Sequence, residues 1–63
     1  MKFKVEIYNE LDNTYGCFDE NGKIHYIDFD DVEDKDLENI LGKTVVISHL
    51  RPYIEVADGV KIL

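Results

Sequence analysis

Apolar and polar positions alternate from the second residue of the chain. Between Lys2 and Tyr8, Phe3, Val5 and Ile7 fall on one face and Lys2, Lys4 and Glu6 on the other, the period of a half-buried β-strand. A polar turn follows around Asn9 to Asn13. Two further strand-like runs, Thr14 to Asp19 and Lys23 to Phe29, flank Asn21-Gly22. Asn and Gly both tolerate the positive φ angles of a type I′ turn, so this pair predicts a two-residue hairpin loop. That register sets Glu20 opposite Lys23, Phe18 opposite His25 and Cys17 opposite Tyr26. Both faces of the hairpin are mixed.

Leu37, Ile40 and Leu41 then have the i, i+3, i+4 spacing of a helical face. With Asp34 as N-cap and Gly42 just beyond the C-terminus, the pattern predicts a helix of about two turns. Lys43 to Ser48 is β-branched and reads as a strand, interrupted at Arg51-Pro52 because proline has no amide to donate. The last segment, Tyr53 to Leu63, is expected to turn at Asp58-Gly59. A three-residue loop there, with Gly59 in a left-handed bulge, pairs Val56 with Val60, Ile54 with Ile62 and Glu55 with Lys61.

Three strands, a short helix and two or three more strands define an α+β or mainly β domain. The economical closure is a small five- to six-stranded antiparallel barrel or a strongly curved sheet, with the element order of OB and SH3-like barrels. An open sheet with the helix on one face is the rival arrangement. Element order of this kind carries no function.

Charge changes this picture more than composition does. The chain has 63 residues and a net charge of −7, and seven of its fourteen carboxylates lie between Asp28 and Glu38 with Lys35 as the only base among them. About six of the seven net negative charges therefore sit in one segment. Such a surface repels nucleic acid and lipid headgroups and attracts basic protein faces. Part of the run serves solubility, and carboxylates near a helix start gain from the helix dipole. A helix start needs only two or three of them. The rest mark Asp28, Asp30, Asp31, Glu33, Asp34, Asp36 and Glu38 as a candidate partner-binding surface.

Catalytic and cofactor signals are absent from the pattern. The two-residue register sends Cys17 and His25 to opposite faces, which excludes the obvious nucleophile and base pair. Aligning Gly22 on the glycine of a calcium loop puts Cys17 at the first ligand position, where a carboxylate is required. Cys17, His25 and His49 lack zinc spacing, and no glycine-rich phosphate loop occurs. No catalytic residue, cofactor or metal is expected, and no direct nucleic-acid contact, since lysines and arginines are scattered. One cysteine forms no internal disulfide, and no stretch is apolar enough to cross a bilayer, which suits a cytoplasmic protein.

The expectation that follows is a small acidic protein-binding module, an inhibitor that occludes the basic, nucleic-acid-binding surface of a partner enzyme, in the manner of phage accessory or anti-defence proteins. If the run were extended, Asp28 and Asp30 would lie about 6.6 Å apart on one face, near the phosphate spacing of a nucleic-acid strand. The competing classes are an oligomer that sequesters a small molecule in a tyrosine-lined pocket and a structural subunit of a larger assembly. A small unstapled core also predicts a homodimer, with Lys2 to Tyr8 and Val60 to Leu63 as the pairing edges.

Overall fold

A computed structural model describes residues 1–30, 32–51 and 55–63 of the chain. The elements in order are β1 (Lys2–Asn9), β2 (Thr14–Phe18), β3 (Ile24–Ile27), α1 (Asp34–Leu37), β4 (Thr44–Leu50) and β5 (Ala57–Ile62). All five strands join one antiparallel sheet in the order β3-β2-β1-β4-β5. The protein is thus mostly β with one short helix, and the sheet is open. Its two edges approach each other where the chain leaves β3 and enters β5. There Asp28 forms a single parallel bridge with Val56, donating its amide to Glu55 O (2.8 Å) and accepting from the Ala57 amide (3.0 Å). No helix among the described residues is long and apolar enough to cross a membrane.

The alternation of β1 holds only as far as Val5. Phe3 and Val5 are buried, but the pairing with β2 slips between Val5↔Cys17 and Ile7↔Gly16, which leaves Glu6 as an extra residue. This bulge reverses the phase of the strand, as one inserted residue must in a period of two. Ile7, expected in the core, is therefore turned outward and 45% exposed, whereas Tyr8 joins the Tyr15 side, with ring centroids 4.9 Å apart.

The β2–β3 loop is also one residue longer than Asn21-Gly22 predicts. Cys17 pairs with His25 and Phe18 with Ile24, so Glu20, Asn21 and Gly22 form a three-residue loop with Gly22 at φ 81°. The Asp19 carboxylate decides this: its Oδ1 accepts the amides of Asn21 and Lys23, both at 2.9 Å, and its carbonyl accepts the Gly22 amide at 3.0 Å. A type I turn with a left-handed glycine bulge results.

Helix α1 is four residues long, not two turns, and Glu33 rather than Asp34 is its N-cap, without a side-chain cap bond. It stops because the chain is taken over by β1: Gly42 donates to Val5 O (2.8 Å) and Val5 to Lys43 O (2.9 Å). Leu37 packs on the core and Ile40 is fully buried, but Leu41 is 49% exposed.

The Asp58-Gly59 turn does not form. Arg51 and Val56 close the β4–β5 connection, with the Arg51 amide donating to Val56 O (3.2 Å), and β5 runs straight through Gly59 with Ile62 opposite Val45 and Val60 opposite Ile47. Lys61 consequently faces Val46 rather than Glu55, and Ile54 lies outside the described residues. Gly59 is needed for another reason: its φ is 67°, and a Cβ there would sit 2.8 Å from Ser48 Oγ and 2.9 Å from Ser48 Cβ.

Phe3, Val5, Tyr15, Cys17, Ile27, Phe29, Ile40, Val45, Ile47 and Ala57 form one core, with no buried polar or charged residue among the described ones. Every element contributes to it except α1, whose Leu37 covers one side. Gly59→Ala is expected to destabilise the domain by about 1–3 kcal/mol, the cost of forcing a side chain into that backbone region. Urea unfolding followed by circular dichroism measures it; an unchanged midpoint would mean that Ser48 and the strand yield freely.

Candidate functional site

The acidic run is not a strand. Past Asp28 the chain turns, and the Val32 amide closes on Phe29 O at 3.1 Å, which buries the Phe29 ring and leaves Asp30 exposed. The ladder spacing of an extended Asp28-Asp30 pair therefore does not apply. Three of the carboxylates instead line one hollow of about 140 Å³: Asp28 from the seam bridge, Asp30 from the turn and Asp34 from the first turn of α1. Tyr15, Phe29 and Leu37 are its apolar lining. Tyr15 and Phe29 meet edge to face with centroids 5.6 Å apart, and the Tyr15 hydroxyl donates to Leu37 O at 3.3 Å. Burial, then the neighbouring Tyr8, raises the Tyr15 pKa, so the phenol stays a neutral donor.

The remaining carboxylates go elsewhere. Glu33 pairs with Lys35 at 3.2 Å on the exposed side of α1, and together with Asp36 and Lys61 they border a broad depression of about 520 Å³ between α1 and β5. Glu38 is exposed beyond the helix, and Asp31 lies outside the described residues. Among the described residues no ion pair engages Asp28, Asp30 or Asp34. Their hollow is far smaller than the roughly 300–1,000 Å³ of a typical small-molecule site. Its volume is that of a single side-chain head group, and its lining combines three acidic residues with Tyr15, Phe29 and Leu37. Among the described residues no cluster of His, Cys, Asp or Glu has the geometry of a metal site.

A second polar cluster was not anticipated from the sequence. His25 projects from β3 between two carboxylates: Nε2 lies 2.8 Å from Asp19 Oδ2, and Nδ1 lies 3.3 Å from Glu55 Oε2 and 3.4 Å from Oε1. Phe3 closes one side with an edge contact at 5.3 Å. Only the doubly protonated ring donates to both carboxylates at once. The cluster ties the β2–β3 turn to the residue that enters the seam. The signal for it was the loop length, because a three-residue loop sets His25 opposite Cys17 and brings it toward Asp19.

The same register overturns the placement of Cys17 and His25 on opposite faces; they are direct cross-strand partners. The thiol is nevertheless quenched. Cys17 is fully buried, its Sγ donates to Tyr15 O at 3.5 Å, and burial followed by the nearby Glu55 pushes its pKa up to about 12. Both nitrogens of the adjacent imidazole are already committed to carboxylates.

Two outcomes follow from these clusters. Cys17 should react with a thiol reagent only as fast as the domain opens, so adding urea should release a reactivity that native buffer suppresses; rapid native labelling would contradict the burial. Asp19 has a lowered pKa, first through the hydrogen bond to His25 and then through the Lys23 amide. Its contribution to stability is thus complete above the ordinary aspartate value, about 3.9, and is lost as pH falls through the lower folded value. Asp19→Asn should flatten the acid limb of the stability profile below that pH, as read by urea midpoints. An acid limb as steep as that of the wild type would assign the dependence to other carboxylates.

No protein-family profile, curated protein or solved structure matches the chain. The functional reading accordingly rests on the hollow and its charges.

Proposed function

We propose that this protein is a small acidic protein-binding module that captures a basic side chain of its partner in the Asp28, Asp30 and Asp34 hollow. The observation that carries this reading is the convergence of three acidic residues, with no ion pair to them among the described residues, on a hollow of side-chain size lined by Tyr15 and Phe29. A guanidinium seated there donates charge-assisted hydrogen bonds to the carboxylates and packs against the Tyr15 and Phe29 side of the hollow. The surrounding exposed Glu33, Asp36 and Glu38 add long-range attraction, which raises the encounter rate with a basic surface. Occlusion of such a surface, for example the nucleic-acid channel of an enzyme, is the inhibitory activity we assign to it.

Two features support the reading over a purely solubilising role. Helix α1 uses no carboxylate side chain as a cap, and one helical turn offers little dipole to stabilise so many acids. We also propose that the curved sheet works as a barrel of the OB type, with β3 and β5 meeting at the Asp28–Val56 bridge, so that one rim of the fold presents the hollow. Among the described residues no tyrosine lines the larger depression beside β5, which disfavours the sequestering alternative.

Asp28→Asn, Asp30→Asn and Asp34→Asn combined should leave the circular dichroism spectrum unchanged and abolish capture of basic partners from a cell extract at low salt. Neutralising Glu33, Asp36 and Glu38 should weaken capture and its salt dependence only partly. Equal losses from both sets would reduce the hollow to general charge attraction, and undiminished capture by the first set would refute the reading.

A further inference from the structure

The two edges of the sheet are β3 and β5, and β1, which the sequence placed at a pairing edge, lies at the centre between β2 and β4. Where the edges approach, Asp28 spends its peptide group on Glu55 and Ala57. Two backbone bonds make a slender seam, so the side chain that holds Glu55 in place bears on how firmly the edges are joined. That side chain is His25. Its Nδ1 stands 3.3 Å from Glu55 Oε2 while Nε2 stands 2.8 Å from Asp19 Oδ2, and its side chain is only 16% exposed.

Glu55 needs this ring in one form. Its Oε2 is buried with no hydrogen-bond partner, which leaves the positive charge of the imidazolium as its compensation. A neutral imidazole carries one proton for two carboxylates. The shorter contact keeps that proton on Nε2, toward Asp19, and Nδ1 then turns a lone pair on the buried Glu55 oxygen. Attraction becomes repulsion at the residue whose carbonyl holds the Asp28 amide.

The other groups around the ring do not take over this duty. From β1, Phe3 offers a ring edge and Lys2 an exposed ammonium, while the Met1 ammonium donates to Ile47 O at 2.9 Å. Glu20 and Asn21 of the hairpin loop are exposed, and Leu50 of β4 adds only an apolar wall. Across the strand pair, the Cys17 thiol stays neutral, its pKa pushed up to about 12 by burial and then by Glu55.

We infer that His25 is a protonation-operated latch on the seam: charged, it joins the hairpin turn to Glu55 and holds β3 against β5; neutral, it releases Glu55 and the seam loosens. Only the charged ring serves both carboxylates, so the latch is closed on the acid side of the imidazole range, about pH 6.5 for a free histidine, and opens as pH rises through it. Asp28 also lines the acidic hollow, so the same step slackens one of its three carboxylates. The seam responds in this way whatever the hollow binds.

Hydrogen exchange of the Asp28 and Ala57 amides, followed by NMR between about pH 5.5 and pH 8 and corrected for base-catalysed exchange, tests the latch. Protection at both should fall by about threefold to tenfold over the interval in which the His25 ring protons titrate. The Val5 amide, bonded to Lys43 O in the centre of the sheet, should keep its protection. Glu55→Gln should abolish the fall, and so should His25→Gln, so that misfolding of one variant leaves the other to decide. His49, the chain's other imidazole, is exposed on β4, and His49→Gln should preserve it. Flat protection at Asp28 and Ala57 overturns the latch, as does an equal fall at Val5, which marks opening of the whole domain. A fall that survives Glu55→Gln, or that disappears in His49→Gln, overturns it as well.

Discussion

The backbone N–H and C=O of Asp28 tie the two edges of the open sheet to each other. Both groups are spent across the gap between β3 and β5, on Glu55 O and the Ala57 amide, and this bridge joins two edges that are otherwise four strands apart in the sheet. Buried Ile27 and Phe29 flank it, as does Ala57, so the bridge and the core support each other. A backbone pair shielded in this way is costly to break, because each separated group would have to find water inside apolar packing. The His25 clamp reinforces the same junction from the side chains, linking Asp19 of the hairpin turn to Glu55 at the entrance to the seam.

The candidate site is a by-product of that junction. With its backbone fixed, Asp28 has its carboxylate set at the rim of the hollow, and the turn that follows drives Phe29 inward while returning the chain to Asp34. Pre-set carboxylates lose little freedom on binding a cation, which is the general advantage of a site built on rigid backbone. The charge concentration of the run is thus converted into a shape only beside the Asp28–Val56 bridge. Along Glu33 to Glu38 the same kind of residue remains a solvated surface.

The two faces of the sheet are separated by a single inserted residue. Upstream of Glu6, the inward side chains of β1 are Phe3 and Val5; downstream, Ile7 is outside and Tyr8 is turned toward Tyr15. That slip gives the domain an exposed apolar residue on its outer face and brings Tyr8 against Tyr15, which lines the acidic hollow.

Short-range patterning indicated a mostly β chain with one short helix and placed part of the core, but left the number of strands at five or six. Phe3 and Val5 were placed by alternation, the strand before Asn21 and the one after Gly22 by the turn between them, and Leu37 and Ile40 by helical spacing. Those signals act over a few residues and depend on side-chain polarity and backbone freedom, which the sequence displays directly. The segment's charge, and the candidate status of Asp28, Asp30 and Asp34, were legible for the same reason. Register was not. Whether Gly22 belongs to a two- or three-residue loop turned on the Asp19 carboxylate, and whether Gly59 marks a turn or a strand turned on β4 beside it. The length of α1 was set by the pull of Val5 on Gly42 and Lys43. Each of these was decided by hydrogen bonds between groups remote from the local pattern, at an energy difference too small for propensity to resolve. Only the assembled sheet determined which carboxylates meet, that His25 stands between Asp19 and Glu55, and that Ile7 faces outward, because all three depend on the pairing of distant strands.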